Sequence, residues 1–90
     1  MRSRSYEQER RVAALWLAVT EAICAAMQDQ DVSKAELAKR VGISRRRCLR
    51  LLSGREDITL RVLARIADEL GLRPEFVMNP EISEEVKTNG

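Results

Sequence analysis

Three glycines divide the middle of this chain into short segments, each of which begins at a hydroxyl side chain and carries apolar residues at helical spacing. The segments are residues 33–42, 44–54 and 59–71, and they end at Gly42, Gly54 and Gly71. Serine and threonine accept hydrogen bonds from the free amides at a helix start, and glycine readily adopts the positive φ that ends a helix. The pattern therefore predicts three short helices, the first two of which are joined by a tight turn.

A longer amphipathic segment precedes these three. Ser5 and Gln8 have the spacing of a capping box, which predicts that a helix begins there. Apolar side chains then recur every three or four residues, and the helix should end near residues 28–30. The members of this stripe are Val12, Leu15, Trp16, Val19, Ile23, Ala26 and Met27.

Two prolines bracket a short apolar segment near the other end of the chain. Pro74 suits the first turn of a helix, Phe76 and Val77 follow it, and Pro80 would stop it, so we predict a brief fifth helix. The fold class is therefore all-α. We expect one domain over residues 5–79, a flexible arm at residues 1–4 and a flexible tail at residues 80–90.

The composition supports a small helical domain and argues against an enzyme. Ninety residues provide one core, and aromatic residues make up only 3% of the chain, which favours helices over strands. The absence of histidine excludes serine–histidine and cysteine–histidine catalytic pairs and removes the commonest metal ligand. Cys24 and Cys48 cannot form a CxxC unit, and each lies in an apolar helical pattern, so we expect two buried, reduced thiols. We predict no enzymatic activity, no metal site and no cofactor.

The first residues bear a superficial likeness to a signal peptide, because four arginines precede the apolar run at residues 12–19. Glu7 and Glu9 interrupt that basic region, and Glu21 follows the run. Spanning a bilayer needs about 20 apolar residues, far more than this run contains. We therefore expect a cytoplasmic protein that does not contact a membrane.

The net charge of +2 conceals a strongly basic segment. Residues 34–55 hold eight of the 16 lysines and arginines and a single acid, Glu36, which gives this segment a charge of +7. Residues 12–33 carry −3 and residues 56–90 carry −4. Such close cations repel one another unless a polyanion binds them, and nucleic acid is the commonest such partner.

The third predicted helix places this charge on one face. At about 100° per residue, Cys48 and Leu51 lie on one side, whereas Arg46, Leu49 and Arg50 lie on the other. A helix fits the major groove of DNA, where arginine pairs with guanine O6 and N7. A solvated helix face, an acidic protein and a membrane surface are the alternatives to a nucleic acid as the partner of these cations.

Residues 33–54, SKAELAKRVGISRRRCLRLLSG, resemble the helix-turn-helix of Cro/CI-type (xenobiotic-response-element-like, XRE) regulators of bacteria and phages. The shared positions include Leu37, Ala38, Val41, Gly42, Ile43, Ser44, Cys48, Leu51 and Gly54. The resemblance continues through Ile58, Leu63, Ile66 and Leu72, and covers roughly residues 17–79. It implies a lambda-repressor-like five-helix bundle, here with an extended N-terminal helix, that regulates transcription by binding double-stranded DNA.

Carried over by position, the resemblance implies which side chains contact DNA. The residues that read bases would be Arg45, Arg46, Leu49 and Arg50. The residues that contact phosphates would be Lys34, Ser44, Arg47 and Arg55. The family often has glutamines at positions 34 and 45 and a glutamate at position 52, where this chain has Lys34, Arg45 and Leu52. Two cationic side chains cannot hydrogen-bond to each other as two amide side chains do, and each of them favours a phosphate or a guanine as its partner.

The first helix extends about three turns beyond what the family needs, and three interpretations of this extension remain open. It folds over the core and buries Trp16, it exposes an apolar stripe that forms a dimer or partner interface through Val12, Leu15, Trp16 and Val19, or it is disordered. The leading hypothesis is a sequence-specific repressor that binds an inverted-repeat operator as a homodimer. The alternatives are an antitoxin or adaptor whose main role is binding a protein partner, with autoregulatory DNA binding, and a non-specific nucleoid or RNA binder.

Overall fold

The computed structural model describes residues 2–80, and within this range the chain is entirely helical and contains no strand. Four helices follow one another: α1 (Arg2–Gln30), α2 (Lys34–Val41), α3 (Arg45–Leu52) and α4 (Leu60–Leu70). The all-α class predicted from the sequence is therefore confirmed.

The ends of the short helices have the capping chemistry that the sequence predicts. Ser33, Ser44 and Thr59 each accept a hydrogen bond at 3.0–3.1 Å from the backbone N–H three residues later. Gly42 and Gly71 follow α2 and α4 with φ of 86° and 69°, the left-handed conformation that glycine adopts without steric cost. Each helix therefore begins and ends within about one residue of its predicted boundary.

The turn between α2 and α3 is held by three contacts. The carbonyl of Ala38 accepts hydrogen bonds from the amides of Gly42 and Ile43, at 2.9 and 3.0 Å. The Arg65 guanidinium of α4 donates to the carbonyl of Val41, which has no partner within its own helix. These contacts fix the direction in which α3 leaves α2.

The core lies where α2, α3, α4 and the C-terminal half of α1 meet, with α2 packed on α3 and α4, and α1 packed on α4. Its buried side chains are Ile23, Ala26, Met27, Val32, Leu37, Ala38, Val41, Cys48, Leu51, Val62, Ile66 and Leu70. Ile43, Leu52, Ile58 and Leu72 pack around it while partly exposed. The buried back of α3 is thereby anchored to α2.

Helix α1 begins at Arg2, so Ser5 lies inside the helix and does not cap it. Residues 2–4 of the predicted arm are helical, and residues 5–15 are all exposed. A helix of 29 residues is about 44 Å long, and its first half extends away from the core.

By length and composition, Ser5–Gln30 is long and apolar enough to cross a membrane. The core helix of a water-soluble domain meets the same criterion. Ile23 and Met27 of this helix are buried in the protein core. Within the apolar 18-residue stretch of this helix, 22% is buried inside the protein.

The predicted fifth helix does not form, and the described residues contain four helices. Residues 72–80 have no regular secondary structure, and Phe76, Val77 and Met78 are 71–81% exposed. A segment of five residues between Pro74 and Pro80 is too short to repay the cost of the first helical turn, since it buries none of its large side chains. Residues 81–90 of the predicted tail lie outside the described residues.

The prediction of two buried cysteines is right for one of them. Cys48 is 1% exposed and faces the core, whereas Cys24 is exposed on α1, and both are free thiols. Cys24 follows Ile23 directly, and residues that are adjacent along a helix point in directions about 100° apart. Of this adjacent pair, Ile23 faces the core and Cys24 faces solvent.

Candidate nucleic-acid interface

Helix α3 has a buried face and an exposed cationic face. Cys48 and Leu51 are each 1% exposed. Arg46, Leu49 and Arg50 lie in solvent on the opposite side. The division of the helix predicted from the sequence is therefore observed, and α3 presents two arginines and one leucine outward from a rigid support.

The N-terminal end of α3 is open to solvent. Ser44 accepts from the Arg47 amide at 3.0 Å, and Arg45 and Arg46 are exposed beside it. Within residues 2–80, neither arginine has an ion-pair or hydrogen-bond partner through its side chain. Free amides and two unpaired cations at a helix N-terminus form a site that favours an anion.

The other two arginines of α3 are held by Glu56, a residue that the sequence analysis did not single out. Arg47 Nε donates to Glu56 Oε2 at 2.9 Å. Arg50 donates to Oε1 through Nε at 3.2 Å and through Nη2 at 3.1 Å. The Arg47 hydrogen bond, followed by that from Arg50, holds the pKa of the Glu56 carboxyl below its ordinary value. Glu56 is therefore ionised at neutral pH and bridges two side chains of the cationic face.

A signal for Glu56 exists in the sequence, although it is indirect. Gly54 has a φ of 82°, which reverses the chain just after α3, and the Arg55 amide donates to the Arg50 carbonyl at 2.9 Å. Glu56 is the first acid after the basic helix, and it follows this glycine by two residues. The spacing alone does not say which arginines it reaches.

The predicted phosphate contacts lie at three places around α3. Lys34 is the exposed first residue of α2, Ser44 is the N-cap of α3, and Arg55 is exposed just beyond the end of α3. Burial raises the pKa of the Cys48 thiol, and the Lys34 charge opposes this effect. Lys34 is thus near enough to α3 to act on it electrostatically, whereas Arg55 lies at the opposite end of the helix.

Trp16 supports the C-terminal end of α3. Its Nε1 donates to the carbonyl of Leu51 at 3.1 Å, across 35 residues of sequence. A Cβ atom added at Gly54 would lie 3.2–3.5 Å from three atoms of the indole ring, so the ring rests on the backbone there. This contact agrees with the interpretation in which Trp16 packs over the folded domain.

The four residues predicted as an interface line one apolar cleft of about 420 Å³ between α1 and α4. Val12 and Leu15 are 43% and 53% exposed, whereas Trp16 and Val19 are partly buried. The remaining apolar members of the lining are Ile58, Leu60, Leu63 and Phe76. Trp16 and Val19 thus form the floor of the cleft, and Val12 and Leu15 form its exposed side.

Residues 2–80 contain no group of three or more histidine, cysteine, aspartate or glutamate side chains that could hold a metal ion.

Comparison with protein families finds a match over residues 17–79 to the Cro/C1-type helix-turn-helix DNA-binding domain. No curated protein and no solved structure matches the chain. The matched region contains α2, α3, α4 and the core half of α1, and it begins directly after Trp16.

Proposed function

Because the chain belongs to the Cro/C1-type helix-turn-helix DNA-binding domains, we propose that it is a transcriptional regulator that recognises a specific operator in double-stranded DNA. It acts as a repressor and binds an inverted repeat as a dimer in the cytoplasm or nucleoid. The observation that carries the proposal is the pair Arg45 and Arg46, exposed at the start of α3 and unpaired within the described residues. A DNA backbone and a guanine edge are the partners these two side chains lack.

Base recognition is assigned to the exposed face of α3. In helix-turn-helix proteins the N-terminal residues of the recognition helix approach the base edges most closely. Arg45 and Arg46 occupy those positions, and Arg50 follows one turn later on the same face as Arg46. Arginine donates to guanine O6 and N7, and Leu49 offers an apolar contact for a thymine methyl group. The half-site therefore contains guanine.

Phosphate contacts are assigned to the residues that surround this face. Lys34 begins α2, the Ser44 hydroxyl lies at the free amides of α3, and Arg55 lies past its end. Arg47 keeps its terminal nitrogens for a phosphate, since Glu56 engages only its Nε. Contacts of this kind set the register of the helix on the duplex and contribute affinity for every sequence.

The experiment compares Arg46→Ala with Lys34→Ala on a set of duplexes that differ at single positions. Removing an arginine that reads a guanine should cost about 1–3 kcal/mol and relax the preference at that base pair. Removing a phosphate contact should lower the affinity for all duplexes about equally, and it should reduce the slope of log affinity against log salt concentration by about 1. Equal losses from both variants, with the base preference unchanged, would show that α3 does not read bases.

Dimerisation is supported by the apolar cleft between α1 and α4. Leu15 and Val12 are exposed there, together with Leu60 at 83% and Phe76 at 71%. Large apolar side chains that adjoin one another on a surface mark interaction sites. A second copy of the chain is the occupant we propose, because two recognition helices about one turn of DNA apart bind an inverted repeat with summed affinity.

The oligomeric state tests this part of the proposal. Leu15→Asp places a charge on the exposed side of the cleft and should convert a dimer to a monomer in analytical ultracentrifugation. Leu17→Asp is the matched control, because Leu17 is 49% exposed on the same helix but does not line the cleft. A wild-type chain that stays monomeric at high micromolar concentration, or a Leu17→Asp variant that dissociates equally, contradicts the dimer.

The same cleft favours one second candidate, an antitoxin or adaptor that binds another protein with α1. In that case the chain is a monomer by itself, and Leu15→Asp abolishes binding of the purified partner without changing affinity for DNA. In the dimeric repressor the same substitution lowers affinity for the inverted repeat. DNA binding by wild type and Leu15→Asp therefore separates the two functions.

A further inference from the structure

The acidic residue that follows α3 is bonded to the centre of its cationic face. Each Glu56 oxygen is used: Oε2 accepts from Arg47, and Oε1 accepts two N–H groups of Arg50. The side chains remain partly exposed, Glu56 at 28%, Arg47 at 36% and Arg50 at 43%. The two arginines are therefore fixed by one carboxylate while their outer ends still face solvent.

We propose, on the basis of the function proposed above, that Glu56 is a positioning residue that makes DNA recognition more selective. It acts through Arg50, which it presents to a guanine in a fixed orientation. Its negative charge also weakens the attraction of Arg47 and Arg50 for phosphates wherever the protein meets DNA. Specific and non-specific binding are thus affected to different degrees by one side chain.

The geometry of the guanidinium group supports the first effect. A guanidinium has five N–H donors, and Glu56 engages Nε and one N–H of Nη2 on Arg50. The edge formed by Nη1 and the second N–H of Nη2 is left over. This edge offers two parallel donors, which is what guanine O6 and N7 accept. Arg50 can therefore read a guanine without releasing Glu56, and a side chain already held in place loses less entropy on binding.

The distribution of charge supports the second effect. Non-specific affinity for DNA comes from cations that neutralise phosphates and release bound counterions. Arg45 and Arg46 are free for such contacts within the described residues, whereas Arg47 and Arg50 share the negative charge of Glu56. The carboxylate charge weakens the attraction of both side chains for an anionic phosphate, whereas a neutral guanine edge depends on that charge less. Removing the carboxylate should therefore help non-specific DNA more than the operator.

The test measures Kd for the selected operator and for a scrambled duplex, across a series of salt concentrations, in the wild-type chain and in Glu56→Gln. The selectivity ratio, which is Kd for the scrambled duplex divided by Kd for the operator, should fall about tenfold in Glu56→Gln. This is within the discrimination that one arginine–guanine pair provides. The scrambled duplex should bind more tightly and with a steeper salt dependence. A ratio that is unchanged or larger in Glu56→Gln overturns the proposal.

Glu36→Gln is the matched control for charge. Its carboxylate accepts from Arg40 Nε at 3.1 Å on α2, outside the cationic face of α3. This variant loses the same charge within the basic region, so both duplexes should bind slightly more tightly and their ratio should not change. A ratio that falls as far as in Glu56→Gln would mean that charge alone, and not the positioning of Arg50, sets selectivity.

Glu56→Asp separates the position of the carboxylate from its charge and serves if Glu56→Gln does not fold. The shorter side chain keeps the charge but cannot reach Arg47 and Arg50 together, so the ratio should fall while the salt dependence stays near that of wild type. An unchanged ratio overturns the role of Glu56. A wild-type ratio near one is a different result, because it refutes the proposed function itself and the role of Glu56 with it.

Discussion

Replacing Trp16 by alanine should destabilise the domain although the residue lies outside the helix-turn-helix. The indole donates to the Leu51 carbonyl at 3.1 Å and rests on the backbone at Gly54. The hydrogen bond contributes about 1 kcal/mol. Loss of roughly 100 Å² of buried apolar surface, at about 25 cal/mol per Å², costs about 2.5 kcal/mol more. The better helix propensity of alanine returns about 0.5 kcal/mol, which leaves a loss of about 3 kcal/mol.

Urea unfolding measures this loss, and it is followed by far-UV circular dichroism because the variant has no tryptophan fluorescence to record. In thermal unfolding of a domain of this size, each kcal/mol lowers Tm by about 4–8 °C, so Tm should fall by about 12–24 °C. Trp16→Phe should lose about half as much, because it removes the hydrogen bond but keeps an aromatic ring.

Leu17→Ala is the control for the Trp16 variants, because Leu17 is the neighbouring residue and is 49% exposed. It should cost less than about 1 kcal/mol, as exposed substitutions usually do. If Trp16→Ala costs no more than Leu17→Ala, Trp16 does not pack on the domain, and the support of α3 described above is wrong.

Two further predictions concern a turn and an ion pair. Gly42→Ala should lower the free energy of unfolding in urea by about 1 kcal/mol more than Gly71→Ala, although both substitutions strain a left-handed backbone. A Cβ atom at Gly42 would also lie 3.1 Å from Arg65 Nη2. A Cβ atom at Gly71 would have no described atom within 4 Å apart from those of its own chain neighbours. Equal costs would mean that the Arg65 contact is not fixed. Arg47 and, to a lesser extent, Arg50 hold the pKa of Glu56 below its ordinary value. The stabilisation by Glu56 is therefore complete at a pH above the ordinary pKa and is lost as the pH falls through the lowered pKa. The difference in unfolding free energy between wild type and Glu56→Gln should therefore shrink at acid pH, and a difference that grows there contradicts the ion pair.

The parts of the fold that follow from local chemistry could be predicted from the sequence. Ser33, Ser44 and Thr59 satisfy the amides next to them, and Gly42 supplies a conformation that other residues adopt at a cost. Each effect acts over about four residues, so it is visible in the sequence itself. The two faces of α3 were predictable for the same reason, because helical periodicity assigns Cys48 to the buried side.

The parts that depend on distant contacts could not be predicted in this way. The partner of Trp16 is a carbonyl 35 residues away, and nothing local to either residue indicates it. Pro74 suits a helix start, but the segment that follows buries none of its large side chains, and Phe76 is 71% exposed. Glu56 was not singled out in the sequence, because its contacts depend on the conformation of the chain at Gly54.

The central claim is that α3 reads a specific base sequence, and selection from a pool of randomised duplexes at fixed salt tests it most directly. Bound duplexes are recovered and sequenced over successive rounds. We expect an enriched inverted repeat whose half-sites contain guanine and are separated by about one helical turn of DNA. A bound population with no enriched sequence would contradict the claim, because it would mean that the exposed arginines of α3 contact only the DNA backbone.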